Sequence, residues 1–174
     1  MESGPSLSVA VSVPKRLYEE ARRRGIDVES RVVEVLLREL ELDPVEGARV
    51  RLELAAKFLR EGVELVDKDP VQAGEKLYKS AEECVKALAE ALGLEEAEAR
   101  RRGRWTLGLL DSAARRLGES VDRRVYDDWS HAYFLHVEGF QEARLTAEQI
   151  KARAKYVSEL LEISNRVVRE RTGS

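Results

Sequence analysis

The chain has few of the residues that usually carry crosslinks, metals or cofactors. Its single cysteine, Cys84, excludes an intrachain disulfide, and its two histidines lie on different helix faces with no third metal ligand nearby. No glycine-rich phosphate loop is present, which argues against the common nucleotide-hydrolysing folds. We therefore expect neither a bound metal nor a cofactor.

Long apolar runs are also missing. No run approaches the roughly 20 residues that span a bilayer, and the first residues lack the basic-then-apolar pattern of a secretory signal. We expect no membrane contact and a cytoplasmic location. Met1 is the only methionine and Asn165 the only asparagine, while charged residues make up 36% of the chain. This bias is typical of thermophilic proteins, which use many ion pairs and few heat-labile side chains.

The composition favours helices and gives no strong overall charge. Hydrophobic residues make up 43% of the chain but aromatic residues only 6%. The 30 Lys and Arg and the 33 Asp and Glu leave a formal net charge of −3. This balance argues against general coating of nucleic acid, although local basic patches remain open.

Apolar side chains alternate with small ones near the N-terminus. The apolar positions are Leu7, Val9, Val11 and Val13. A period of two predicts a strand with one apolar face. Because a lone strand cannot satisfy its own backbone hydrogen bonds, the simplest partner is the same strand of a second chain.

Two helices are predicted after this strand. Pro14 suits the first position of a helix that Gly25 ends, and Asp27 is a suitable N-cap for the next one. Asp43 and Pro44 end the second helix. We place the domain boundary there, with an arm at residues 1–43 and a helical domain at 44–174.

Beyond the boundary every pattern is helical. Apolar residues recur at helical spacing over about 48–67, 71–92, 107–117 and 121–143, and again after the capping box formed by Thr146 and Gln149. Short connections between such helices predict an all-α, antiparallel four- or five-helix bundle. The predicted fold is this bundle preceded by a short strand-helix-helix dimerisation arm.

The arm resembles the ribbon-helix-helix fold from Leu7 to Leu42. In that family two chains pair their strands into a ribbon, so the resemblance implies a homodimer whose outward side chains read the DNA major groove. Here those side chains would be Ser8, Ala10 and Ser12, which cannot make bidentate contacts to base edges. We favour an arm that only dimerises, and a DNA-binding regulator acting through the arm remains an alternative.

The helical domain resembles the archaeal PaREP family, itself similar to HEPN bundles. Matching segments are Leu42–Pro44, Lys68–Ala73, Glu75–Glu83, Val85–Ala89, Arg102–Thr106 and Leu135–Phe140. The resemblance implies a helical bundle that commonly dimerises. Some HEPN proteins are metal-independent ribonucleases that use an Arg and a His separated by four to six residues. Others bind nucleotides or a partner nucleotidyltransferase, or are inactive scaffolds.

Arg124 and His131 have the HEPN-like spacing, with six residues between them. Seven positions make nearly two helical turns, so both side chains would project from one side, about 10 Å apart along the axis. Asp127 and Asp128 precede His131 by one turn and could orient its ring. In a ribonuclease His131 would be the general acid or base and Arg124 would hold the phosphate. The alternative is a solvated face with local ion pairs.

His136 is predicted on a different, apolar stripe. It shares helical spacing with Trp129 and Phe140, and Tyr78 on another helix is a candidate neighbour. A buried neutral imidazole in the core is one interpretation. A pocket between helices lined by Tyr78, Trp129 and His136 is the other.

A charged stretch, 95–104, contains the densest cationic cluster. Its members are Arg100, Arg101, Arg102 and Arg104, followed by Trp105. Four guanidiniums and an indole could clamp a phosphate or stack on a base. They could equally form a cationic helix end favoured by the helix dipole.

Together these patterns predict a homodimeric binding and assembly module, associated with nucleotide or nucleic acid and without catalysis. The dimer would use both the N-terminal strand and the bundle. The alternatives are a metal-independent ribonuclease using Arg124 and His131, and a DNA-binding regulator working through the arm.

Overall fold

The computed structural model describes residues 8–101 and 104–173, most of which are helical. The helices are α1 (Lys15–Arg23), α2 (Val28–Glu39), α3 (Pro44–Leu65), α4 (Pro70–Ala91), α5 (Glu95–Arg101), α6 (Leu107–Ser120), α7 (Arg124–Phe134), a π-helix (Leu135–Gln141) and α8 (Ala147–Thr172). No helix in these ranges combines the length and the apolar character needed to cross a bilayer.

The prediction of a strand at residues 7–13 is wrong. Residues 8–14 form neither strand nor helix, and Leu7 lies outside the described residues. A strand exists only beside a hydrogen-bonded partner, and the described elements of this chain are all helical, so the alternating segment has no sheet to join. The ribbon-helix-helix interpretation, with its DNA-reading ribbon, loses its basis. The all-α bundle that was predicted after the arm is confirmed for the described residues.

The chain divides into two compact units, Met1–Asp43 and Pro44–Ser174. In the first unit, α1 ends at Arg23, and Gly25 just beyond it has a φ of +69°. The Ile26 amide there donates to the Ala21 carbonyl at 2.9 Å, as in a Schellman motif. The predicted N-cap is confirmed, because Asp27 accepts from the Ser30 amide at 2.8 Å. Every described residue of this unit is at least partly exposed.

In the second unit, α3 and α4 pack closely and antiparallel because small residues lie between them. A Cβ atom on Gly62 would come within 2.9 Å of Leu77 Cγ. The Ser80 hydroxyl donates to the Ala55 carbonyl at 2.8 Å. α8 packs against this pair and against α7, and it begins with the predicted capping box of Thr146 and Gln149.

A buried charge network joins α3 to α4. Arg51 is 0% exposed. Its guanidinium donates to Glu83 Oε2 at 2.9 Å and to both carboxylate oxygens of Glu90 at 2.8 and 2.9 Å. Lys86 Nζ lies 3.0 Å from Glu83 Oε1 and 2.9 Å from Glu82 Oε1. Each buried charge of this network is paired with an opposite one, and the network was not predicted from the sequence.

The helix predicted over about 121–143 is not one continuous α-helix. α7 ends at Phe134 and the chain continues as the π-helix. In a π-helix each amide donates to the carbonyl five residues earlier, whereas in an α-helix it donates to the carbonyl four residues earlier. Each hydrogen-bonded turn of a π-helix therefore contains one extra residue. The charged stretch after α4 is helical as far as Arg101.

Replacing Arg51 by Met should leave the carboxylates of the buried Glu83 and the part-buried Glu90 without the guanidinium that donates to both. The expected loss in free energy of unfolding is about 3–5 kcal/mol, since a buried ion-pair network loses its central partner. Urea denaturation followed by circular dichroism measures it. The matched control is Arg49→Met, because Arg49 pairs with Glu46 at 2.8 Å on the exposed surface and should cost less than about 1 kcal/mol. Equal losses in the two variants would contradict a structural role for the network.

Candidate functional site

The π-helix carries a polar cluster against the start of α4. Leu135 and Gly139 are its buried residues, and Gly74 of α4 lies directly opposite. A Cβ atom on Gly74 would stand 3.2 Å from the Leu135 carbonyl oxygen and 3.6 Å from Gly139 Cα. The two glycines therefore let the backbones approach, which brings His136 beside the next residues of α4.

His136 contacts side chains of α4 and of its own π-helix. Its Nδ1 lies 2.7 Å from Glu75 Oε2, and its Nε2 lies 3.1 Å from Gln141 Nε2. Its ring stacks on Tyr78, with 4.2 Å between centroids and 27° between planes. Phe140 follows at 6.0 Å between centroids. With 20% of its side chain exposed, His136 sits at the rim of the bundle.

The hydrogen bonds around His136 favour one tautomer. A carboxylate can only accept, so Glu75 favours a proton on Nδ1, and Nε2 can then accept from the Gln141 amide. Burial, with smaller contributions from Glu82 and Glu75, raises the pKa of the Tyr78 phenol far above its ordinary value. The cluster thus combines an uncharged phenol, an imidazole and a carboxylate that lies 3.8 Å from Lys79 Nζ.

The structure brings together the three residues predicted as core or pocket. Tyr78 contacts His136, and Trp129 lies 5.7 Å from Tyr78 between ring centroids. The Trp129 indole donates to Asp111 Oδ1 at 3.1 Å. Glu75 and Gln141 were not predicted as site residues from the sequence. Glu75 could have been found, because it precedes Tyr78 by one turn on the same helix.

Arg124, the first residue of the predicted ribonuclease pair, is held by carboxylates. Its guanidinium donates to Asp122 Oδ2 at 2.8 Å and to Glu159 Oε1 at 2.6 Å. Its hydrogen bond to Asp122 is the main cause that lowers the pKa of that carboxyl to about 2. The hydrogen bonds to Asp122 and Glu159 also raise the pKa of Arg124 above its ordinary value. A phosphate would have to compete with both carboxylates for this side chain.

His131, the second residue of that pair, stacks on α8. Its ring lies 3.7 Å from that of Tyr156 between centroids, at an angle of 6°. Partial burial, followed by the positive charge of Arg153, lowers the pKa of His131. Both predicted residues thus contact α8, but no hydrogen bond or ring contact joins them to each other within the described part of the chain.

The two aspartates before His131 do not hydrogen-bond its ring in the described structure. Asp127 lies 3.9 Å from Arg123. Asp128 is buried, and its Oδ2 has no hydrogen-bond partner among the described residues. Burial, with the negative charge of Glu159, raises the pKa of Asp128 to about 7.

Asp128→Asn should flatten the dependence of stability on pH. The pKa of Asp128 is about 7 when folded but about 3.9 when unfolded. The folded state therefore holds the extra proton between these values, and wild-type stability falls as pH rises from about 4 to about 7. The variant lacks this fall and should be more stable at pH 8. Thermal unfolding at pH 5 and pH 8 measures it, with the exposed Asp127→Asn as control. An unchanged pH slope in Asp128→Asn would contradict the assignment.

The predicted cationic cluster is described only in part. Arg102 and the side chains of Arg100 and Arg101 lie outside the described residues. Arg104 is exposed, and Trp105 is half-buried with no hydrogen-bond partner for its indole N–H in the part of the chain that the structure describes. Across the same residues, no three His, Cys, Asp or Glu side chains are grouped as metal ligands would be.

Comparison with known proteins places these features in a family. Residues 50–161 match the model of the archaeal PaREP1/PaREP8 family, a range that includes the His136 cluster and the Arg124 and His131 pair. A crystal structure of a protein from Sulfolobus solfataricus is 34% identical, with a TM-score of 0.60, and the match covers 64% of this chain and 93% of that one. A solution structure of the Orf c02003 protein, the same structural-genomics target, is also 34% identical, with a TM-score of 0.52 and coverage of 67% and 87%. No curated protein matches the chain significantly.

Proposed function

We propose that this chain, which belongs to the archaeal PaREP1/PaREP8 family, is a non-catalytic binding module that associates with a nucleotide or with single-stranded nucleic acid. The observation that carries the proposal is the stacked pair of Tyr78 and His136 with Glu75 at 2.7 Å from the imidazole. The HEPN-like character of the bundle is part of this proposal.

The chemistry of the cluster suits a nucleobase. Bases bind proteins by stacking on aromatic or imidazole rings and by hydrogen bonds at their edges. His136 and Phe140 supply half-buried rings at the rim of the bundle. The exposed Gln141 amide supplies a donor and an acceptor, and the Glu75 carboxylate supplies an acceptor. These are the group types that recognise a planar heterocycle.

The same contacts support binding rather than turnover. Both ring nitrogens of His136 are already within hydrogen-bond distance of a partner, Glu75 or Gln141. A general base needs a nitrogen free to face the reacting proton. For the phosphate of the ligand we propose the cationic cluster Arg100, Arg101, Arg102 and Arg104, so affinity should fall as salt rises.

His136→Gln should weaken binding of nucleoside monophosphates and of a short single-stranded RNA by about tenfold, the scale of one lost base stack. Glutamine keeps a polar group opposite Glu75 but removes the ring. Isothermal titration calorimetry at low salt measures the affinity. His131→Gln is the matched control, since His131 also stacks on a tyrosine, Tyr156, and its variant should bind normally. Absence of wild-type binding, or equal binding by both variants, would sink the proposal.

A metal-independent ribonuclease using Arg124 and His131 is the second candidate. The lowered pKa of His131 favours it, because partial burial favours the uncharged imidazole and a general base must be uncharged. The hydrogen bonds of Arg124 to Asp122 and Glu159 argue against a ribonuclease, because they occupy the side chain that would bind the phosphate.

Incubation of the purified protein with structured RNA in EDTA separates the two candidates. We expect no cleavage, because the guanidinium of Arg124 already donates to two carboxylates of its own chain, Asp122 and Glu159. Cleavage that His131→Gln abolishes and His136→Gln retains would establish the ribonuclease instead. Cleavage that persists in His131→Gln would point to a contaminating nuclease.

A further inference from the structure

The first unit exposes its apolar side chains instead of burying them. Among residues 8–43 none is buried. Val9 is 90% exposed, Leu40 62% and Leu17 61%. Tyr18, Val35, Leu36 and Leu42 are exposed as well. Scattered apolar residues on a surface need no explanation, but so many within one small unit indicate a surface made to be covered.

A unit of this size needs an additional source of stability. Domains below about 70–80 residues rarely gain enough stability from a core alone, and they usually add a disulfide, a metal or association with another chain. The one cysteine, Cys84, lies in the other unit. No group of metal ligands occurs among the described residues. Helices as short as α1 and α2 are also marginal by themselves in water. Association remains as the means of stabilising them.

The charges of the two helices indicate what the partner is. Residues 15–24, which include α1, contain five basic and two acidic residues. Residues 27–43, which include α2, contain six acidic and two basic residues. In a two-fold dimer the same surface meets itself, so the positive part of one copy can lie against the negative part of the other, on both sides of the axis. A uniformly acidic or basic partner would match one helix and repel the other.

We infer that residues 8–43 form a self-association surface, in which the apolar side chains of α1 and α2 pack against those of a second copy. The basic α1 of each copy lies along the acidic α2 of the other. This contact is between helices and requires no strand. It goes beyond the proposed ligand binding and is independent of it.

The first experiment measures the mass of the full chain in solution. Sedimentation equilibrium over a range of concentrations should show a dimer for the wild type. Leu17→Lys with Leu36→Lys should give a monomer, because lysines would be buried in the contact. Val63→Lys is the matched control, since Val63 of the bundle is 55% exposed and lies outside this surface. It should remain dimeric, and circular dichroism should show the bundle intact in all variants.

The second experiment tests the pairing of charges. Arg16→Glu with Arg22→Glu, or Glu34→Lys with Glu39→Lys, should each weaken the dimer by about tenfold at low salt, because like charges then meet. Combining all four should restore it. A monomeric wild type would overturn the inference, and so would a dimer that persists in the Leu17 and Leu36 variant. Double variants that dimerise as well as the wild type, or a fourfold variant that dimerises no better than the double variants, would overturn the pairing of α1 with α2.

Discussion

Arg51 is shielded from water completely, and the carboxylates of Glu83 and Glu90 compensate for the lost hydration. Desolvating a guanidinium costs several kcal/mol even after relaxation, so α3 is stable against α4 only in the register that brings these groups together. The same register places Gly62 over Leu77 and the Ser80 hydroxyl on the Ala55 carbonyl. α4 is thereby fixed, and it contacts each of the other described helices of the second unit. The remaining helices are arranged around it.

The two histidines lie on consecutive helical segments and contact two different helices, α8 and α4. His131, on α7, stacks on Tyr156 of α8, where partial burial and then the charge of Arg153 lower its pKa. His136, five residues later on the π-helix, reaches Glu75 and Tyr78 of α4. The candidate site therefore depends indirectly on the buried network, because that network positions α4, which supplies Glu75 and Tyr78.

Many of the helices could be predicted because the signals that start and end a helix lie within the segment itself. Capping side chains such as Asp27 and Thr146 start helices wherever they precede an apolar repeat. Arg51 could not be found in this way, since arginine usually lies on the surface and its burial depends on two glutamates 32 and 39 residues away. The prediction of a strand at residues 7–13 was wrong, because an alternating pattern forms a strand only where a second strand is present to share its hydrogen bonds. The π-helix leaves no residue pattern that differs from an α-helix.

The length of the segment after Phe134 is as important as its residue types. Each residue of an α-helix turns the next by about 100°, so the extra residue of a π-turn rotates everything beyond it relative to a continuous α-helix. The buried positions run through Ala132, Leu135 and Gly139, and His136 lies at the edge of this buried stripe with 20% of its side chain exposed. Deleting one residue between Leu135 and Gln141 would let an α-helix form. The side chains of this segment would then turn away from Glu75 and Tyr78 of α4. Relatives with a different number of residues in this segment would then keep the bundle but lose the contact between His136 and α4.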